Sequence, residues 1–355
     1  MNMRDYIFEQ PQVMRDIFEN RKENLREFLN FYQEVNPDRI YIIACGSSYN
    51  ASCAASEFMN RVLGIEVSVH FPSKLPAILA KRPLIIAVSQ GGESTNTIAA
   101  VKALRQYPLI AATGKAECTV NSLCDHHFDL GCGRETAGPK TKGYTATILS
   151  FSLLALEAAY ATGAISEEEY NSFCAMYAAV PENMQKNIET TDAFVKAHLE
   201  EFCSMKKMSW TGKGIGGQLA KVCALKVLET LLVPALNYEY EEFLHGPICA
   251  IDGEMAGFYL LSNDEDAVRM AATAKAHTTY CEKAYIVTSD TSITGDRVLH
   301  ILSSGDDATA SFEYPLLAQL ISSEVPVALG IVDAGMHQFR TFDDVVKIKA
   351  KRTAD

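Results

Sequence analysis

Two short stretches, 40–44 (IYIIA) and 84–88 (LIIAV), are apolar at every position, end in small hydroxyl or glycine residues, and lead into helical patterns. Unbroken apolarity, rather than alternation, marks a strand covered on both faces, so these read as buried parallel strands. Residues 109–112 and 127–130 continue the series, and 145–160 reads as a long buried helix. The second half repeats the order: a strand at 208–211, a helix to 233, a strand at 258–261, a helix near 267–277, strands at 284–287 and 298–302, and a closing helix at 311–323. Residues 20–35 and 167–200 are mostly helical and lead into the two copies. Corresponding pieces sit about 165–175 residues apart, the period of a whole domain. The expected fold is α/β: two tandem doubly wound domains, each a mainly parallel five-stranded sheet flanked by helices, flavodoxin-like. Residues 1–190 would hold the first domain with its leading helices, and 191–355 the second with the carboxyl tail.

Composition narrows the function classes. The chain has 355 residues, 48% hydrophobic and 21% charged, an ordinary globular make-up for about two domains. Its net charge of −12 argues against nucleic acid as a partner, because phosphate backbones call for a basic face. The short basic end at 347–352 (KIKAKR) reads as a solvated tail. Ten cysteines are scattered without a C-x-x-C pair, several inside apolar runs, which predicts reduced thiols acting as small hydrophobes in a cytoplasmic setting. The first residues lack an apolar signal core and no stretch reaches about 18 clean apolar residues, so neither secretion nor a membrane partner is expected.

In open α/β sheets, ligands gather beyond the carboxyl ends of the strands, where the next helices begin. Cys45-Gly46-Ser47-Ser48 follows the first strand and SQGGEST, 89–95, follows the second. Each loop offers backbone N–H groups and serine hydroxyls without a fixed positive charge, a pattern suited to a phosphate monoester. A serine in one such loop could equally cap a helix. Two loops in one sheet point to an anion site.

A Gly212-x-Gly214-x-x-Gly217 spacing superficially matches a dinucleotide fingerprint. That motif wants a second strand ending in an acid about twenty residues on. Pro234 followed by NYEYEE reads as no apolar strand, so a tight turn before a packed helix is expected instead.

The stretch ALKVLETLLVPALNYEYEEFLHGP, 224–247, places Lys226 and Glu229 on one face of an oily helix. A surface ion pair is the plain explanation. Beyond it, Pro234 ends the helix, acids cluster at Glu239, Glu241 and Glu242, and His245-Gly246-Pro247 forms a turn able to present an imidazole. No carboxylate or histidine spacing suggests a metal; His126-His127 is an isolated pair at a strand edge.

ACGSSYNA (44–51), VSQGGEST (88–95), ALKVLE (224–229) and FLHGPICAID (243–252), in this order, resemble the SIS (sugar isomerase) proteins. The chain is most similar to the two-domain isomerase half of glucosamine-6-phosphate synthases and to fructosamine-6-phosphate deglycases, over nearly its whole length. The resemblance implies tandem SIS domains and a cofactor-free enzyme. It implies that Ser48, Ser89, Gln90 and Ser94 hold a sugar phosphate, with Ser47 beside them. It implies that Glu229 moves a proton between C1 and C2 with Lys226 nearby, and that His245 assists ring opening or the leaving group from a neighbouring subunit, hence a homodimer. A carboxylate partly desolvated on an oily helix suits such a base, and an imidazole suits the second acid–base role.

The departures bear on the reaction. No glutaminase domain precedes these motifs, so ammonia from glutamine is not expected. Gly91 stands where the synthases have serine, and Gly138-Pro139-Lys140-Thr141 replaces their valine-alanine-serine-threonine, so binding near the substrate's C2 or amine end is expected to differ, with Gly46, Gly91, Lys140 and Thr141 as further candidate substrate contacts. Lys140 or Lys142 could meet a substrate carboxylate, or be solvated. The tail lysine of the synthases aligns with Asp344. The expected function is a phosphosugar isomerase-type enzyme on a 6-phosphorylated ketosamine or amino sugar, with deglycase or deaminase chemistry. Aldose–ketose isomerisation of an amino-sugar phosphate and a non-catalytic sugar-phosphate sensor remain the alternatives.

Overall fold

The strands β1 (Arg39–Ile43), β2 (Glu66–His70), β3 (Pro83–Val88), β4 (Leu109–Thr113) and β5 (His126–Asp129) pair in parallel, in the order β2-β1-β3-β4-β5. In the computed structural model, which describes residues 2–332 and 335–351, a second sheet follows with the same winding. It comprises β6 (Lys207–Gly212), β7 (Ala235–Glu239), β8 (Met255–Leu260), β9 (Ala284–Thr288) and β10 (Val298–His300), in the order β7-β6-β8-β9-β10, again all parallel. Both sheets therefore have the flavodoxin-like order expected from the repeat.

The apolar runs are the inner strands, and β3 and β8 are buried at every position. Two strands were not foreseen, β2 and β7. Both are edge strands, with mixed exposure along EVSVH and ALNYE, so they carry no continuous apolar run. The expectation that no strand follows Pro234 is corrected: β7 begins at Ala235 and ends in Glu239. The closing helix is two helices, Asp307–Glu313 and Leu316–Ala328. Pro315 stands at the junction, where a residue without an N–H continues no helical ladder.

The chain forms two compact units. The first comprises Glu9–Thr136, Lys140–Pro181 and Gln338–Asp355, and the second Met1–Phe8, Ala137–Pro139 and Glu182–His337. The carboxyl tail thus groups with the first sheet, unlike the expected 191–355 segment, because its backbone is hydrogen-bonded there, as described below. In the first unit the helix Lys142–Ala161 is the core element. Its mean hydropathy of 1.2 and its length would suffice to cross a membrane, but 89% of that window is buried inside the fold. Its one inward acid, Glu157, accepts from Arg21 Nε at 2.9 Å and Tyr170 OH at 2.8 Å.

In the second unit Phe258 stacks on Trp210 at 4.1 Å and on Tyr285 at 5.1 Å, filling the space against the sheet. Arg4 Nη1 ties the amino terminus to Asp192 and Glu324, each at 2.6 Å. All ten cysteines are free.

Candidate functional site

In the first unit, β1 and β3 lie side by side, Ile43 opposite Ala87, where the strand order reverses. Ligand crevices of open sheets form at this place. Gly46 leaves β1 with φ +60° and open space around its absent Cβ, so glycine is there for the backbone. The helix Ser47–Leu63 starts immediately after, and the amides of Ser47, Ser48 and Tyr49 have no intrahelical acceptor. Beyond β3, Gly92 N donates to Ser89 O at 2.9 Å and closes a tight turn. Gly92 has φ +66°, and a Cβ there would lie closer than 3.0 Å to Cys118, whereas a Cβ on Gly91 would meet nothing within 4 Å.

The serines do not act as caps. Gly46, not a serine, precedes the first helix, and Ser94 precedes the helix Thr95–Leu104 without a side-chain capping bond. Its hydroxyl instead accepts from Ser89 Oγ at 3.3 Å and from Lys349 Nζ at 3.0 Å. Capping therefore does not account for this loop. Gln90 reaches Thr147 Oγ1 at 3.4 Å across Gly143, where a Cβ would approach the Gln90 side chain to 2.8 Å.

The neighbouring loop is organised by Glu135. It accepts from Thr141 N and Oγ1, both at 2.8 Å, and from Gly143 N at 3.0 Å. Lys140 Nζ donates to Glu135 O at 2.7 Å. Lys142 is not solvated: it is buried, with its ammonium 2.8 Å from Glu9 Oε2.

The basic tail is not a solvated one either. After the helix Met336–Val346, Lys347 turns through φ +54° and residues 348–350 run antiparallel to the loop that follows β3. Thr95 N donates to Ile348 O at 3.1 Å and Ala350 N to Glu93 O at 2.8 Å. Lys349 is thereby brought to Ser94, and the hydroxyl cradle carries a cation after all. Sequence reading missed it because KIKAKR was weighed as charge, although Ile348 between two lysines is the alternation of a short strand. Asp344 is exposed on the preceding helix, and Arg352 lies outside the described residues.

In the second unit, β6 and β8 lead to the equivalent loops, and Gly214 repeats the left-handed turn at φ +55°. Here the unit's own charges stand at the position. Lys213 pairs with Asp266 and with Asp264, the latter at 2.9 Å, and these carboxylates raise its pKa well above the usual lysine range. The acid ending β7, Glu239, accepts from Glu241 N and Glu242 N as a helix cap. Two of the fingerprint glycines pack instead: a Cβ on Gly212 would lie closer than 3.0 Å to the Gly216 backbone, and one on Gly217 would lie 3.1 Å from Gly212 O.

On the helix Ile215–Leu231, Lys226 is 2% exposed and its ammonium stands 3.3 Å from Glu229 Oε2, whose side chain is 36% exposed. A buried lysine stem with one carboxylate at the helix edge is more than a surface ion pair. His245 follows the short helix Tyr240–Leu244 on an exposed turn with Gly246 at φ +159°. His126 stacks on Phe31 at 3.8 Å, and His127 shares a 2.7 Å hydrogen bond with Thr113, which accounts for that pair structurally.

Residues 35–157 match the SIS domain family, a span that contains both serine loops of the first sheet. This span is an SIS domain. The second sheet repeats the winding of this SIS domain, so the architecture is that of tandem SIS domains. Among relatives, a glutamine–fructose-6-phosphate aminotransferase of Gloeobacter violaceus is 31% identical over 70% of the chain, which matches 42% of that protein's length. A Clostridium difficile protein provisionally named a phosphosugar isomerase superposes over 100% of both chains, with 26% identity and a TM-score of 0.89. The glucosamine-6-phosphate deaminase of Thermotoga maritima shares the fold at 20% identity, with a TM-score of 0.75, over 94% of this SIS protein and 96% of its own chain.

Proposed function

We propose that this SIS protein is a phosphosugar isomerase-type enzyme acting on a 6-phosphorylated ketosamine or amino sugar, as a deglycase or deaminase. The observation that carries the reading is the loop after β3. Its serines are released from capping and cluster with helix-terminal amides where an anion would bind. A sugar 6-phosphate suits such a cradle, and the relatives' names point to the same substrate class. Ser47, Ser48, Ser89, Gln90 and Ser94 are assigned to the phosphoryl group.

Glu229 is assigned as the base, held by Lys226. From a 1-amino-1-deoxyketose it takes a C1 proton to form the 1,2-enaminol and, once that proton has exchanged with water at the half-exposed carboxyl, delivers a proton to C2. The C2 carbonyl becomes an alcohol as the C1–N bond becomes an imine, so oxidation level moves within the substrate and no redox partner is required. Water adds at C1, the C–N bond breaks, and His245 protonates the departing amine, leaving an aldose 6-phosphate. The exposed turn that carries His245 suits a residue reaching a second copy, and the working form is assigned as a homodimer.

The test is a coupled assay for glucose 6-phosphate release from a panel of 6-phosphorylated fructosamines, and for fructose 6-phosphate and ammonia release from glucosamine 6-phosphate, run beside Glu229→Gln. Turnover by the parent, lowered roughly 10²–10⁴-fold in the variant with ligand binding kept, is expected. Tight binding without turnover by either protein would sink the deglycase and deaminase assignment and favour a sensor.

A further inference from the structure

We infer that Lys349, carried by the carboxyl-terminal strap, is the cation of the phosphate cradle: its ammonium holds the Ser94 hydroxyl in the free protein and bonds a phosphoryl oxygen when a phosphate monoester arrives. This rests on the assignment of the cradle to phosphate. The position of Lys349 is built rather than incidental. The strap is fixed by the two backbone bonds to residues 93 and 95, and by Thr95 Oγ1, which donates to Lys347 O at 2.8 Å and to Ile348 O at 3.0 Å. Asp343, buried at the end of the preceding helix, accepts from Lys349 N at 2.8 Å. Lys347 is held in the left-handed region to make the turn, a conformation costing a non-glycine residue roughly 1–2 kcal/mol. The hydrogen bonds just named hold it there.

The strap leaves the ammonium without a counter-ion. Among the described residues no carboxylate forms an ion pair with Lys349, and its side-chain partner is the neutral Ser94 hydroxyl. Glu93, the nearest loop acid, is spent on Thr119 N at 2.9 Å and Thr119 Oγ1 at 2.7 Å. Burial first, then Lys140, holds the Lys349 pKa below the ordinary lysine value, while Asp343, Cys45 and Glu93 act the other way. A partly buried cation beside hydroxyls and free amides lacks an anion, and a phosphate dianion supplies one.

The experiment is calorimetric titration with inorganic phosphate and with glucose 6-phosphate, using the wild-type chain, Lys349→Met and Lys349→Arg from pH 7 to 10. Removing one charge-assisted bond is expected to weaken the methionine variant about 10- to 100-fold, with arginine retaining most of the affinity. Wild-type affinity should fall with rising pH as Lys349 loses its proton, and the arginine variant should flatten that fall. Wild-type binding with Lys349→Met unchanged, or a turnover loss at unchanged Kd, overturns the inference and leaves the proposed function standing. If the methionine variant fails to fold, a pH profile shared by wild type and Lys349→Arg overturns it. No phosphate binding by the wild type overturns both readings.

Discussion

Gly91 and Gly92 are neighbours in the loop after β3, yet substitution should separate them sharply. At Gly92 the backbone has φ +66°, and a Cβ would collide with both Cys118 Sγ and Cys118 Cβ. The left-handed conformation costs a non-glycine residue roughly 1–2 kcal/mol. Overpacking against Cys118 adds about 1–3 kcal/mol, because the colliding Cβ is not the free end of a flexible chain. Gly92→Ala should therefore destabilise the first unit by roughly 2–5 kcal/mol, or about 4–20 °C in Tm for a unit of its size. Gly91 has open space around it, so Gly91→Ser should stay within about 0.5 kcal/mol of wild type. It should also tighten phosphate binding by adding a hydroxyl donor. Urea melts of the three proteins, paired with phosphate titration, read both effects. Equal stability of Gly92→Ala and Gly91→Ser would refute the steric account of the loop.

Two further outcomes follow from the same geometry. Titration with glucose 6-phosphate should saturate at one site per chain, because at the equivalent position in the second unit Asp264 and Asp266 already pair with Lys213 and would repel a phosphate; two equal sites would contradict this. Glu313 is buried, and that burial raises its pKa against hydrogen bonds from Ser303, Thr309 and Ser304. The folded state therefore binds more protons than the unfolded one above about pH 4.5, and stability is lost as pH rises through the raised value. Glu313→Gln should match wild type near pH 4 and gain on it toward pH 7 in chemical melts, and a parallel pH dependence in the two proteins would count against it.

How much was legible in the chain follows from burial. Strands covered on both faces, such as β3 and β8, announce themselves as apolar runs, and the repeat then fixes the winding. The edge strands β2 and β7 were invisible because half-exposure admits polar residues, and missing β7 made Pro234 look like the start of a loop. The serine loops were readable because small hydroxyl residues after a buried strand have few other uses. Lys349 was not, since its role depends on backbone pairing between residues far apart in sequence. Lys142 illustrates the same limit: nothing local shows that its ammonium meets Glu9.

The central claim is proton transfer between C1 and C2 by Glu229, and its most direct test is turnover of a 6-phosphorylated fructosamine in D₂O followed by proton NMR. The account predicts deuterium appearing at C2 of the released aldose 6-phosphate, and at C1 of recovered substrate. Both should be suppressed in Glu229→Gln at unchanged substrate affinity. Release of the aldose without solvent deuterium at either carbon, or undiminished exchange in Glu229→Gln, would contradict it.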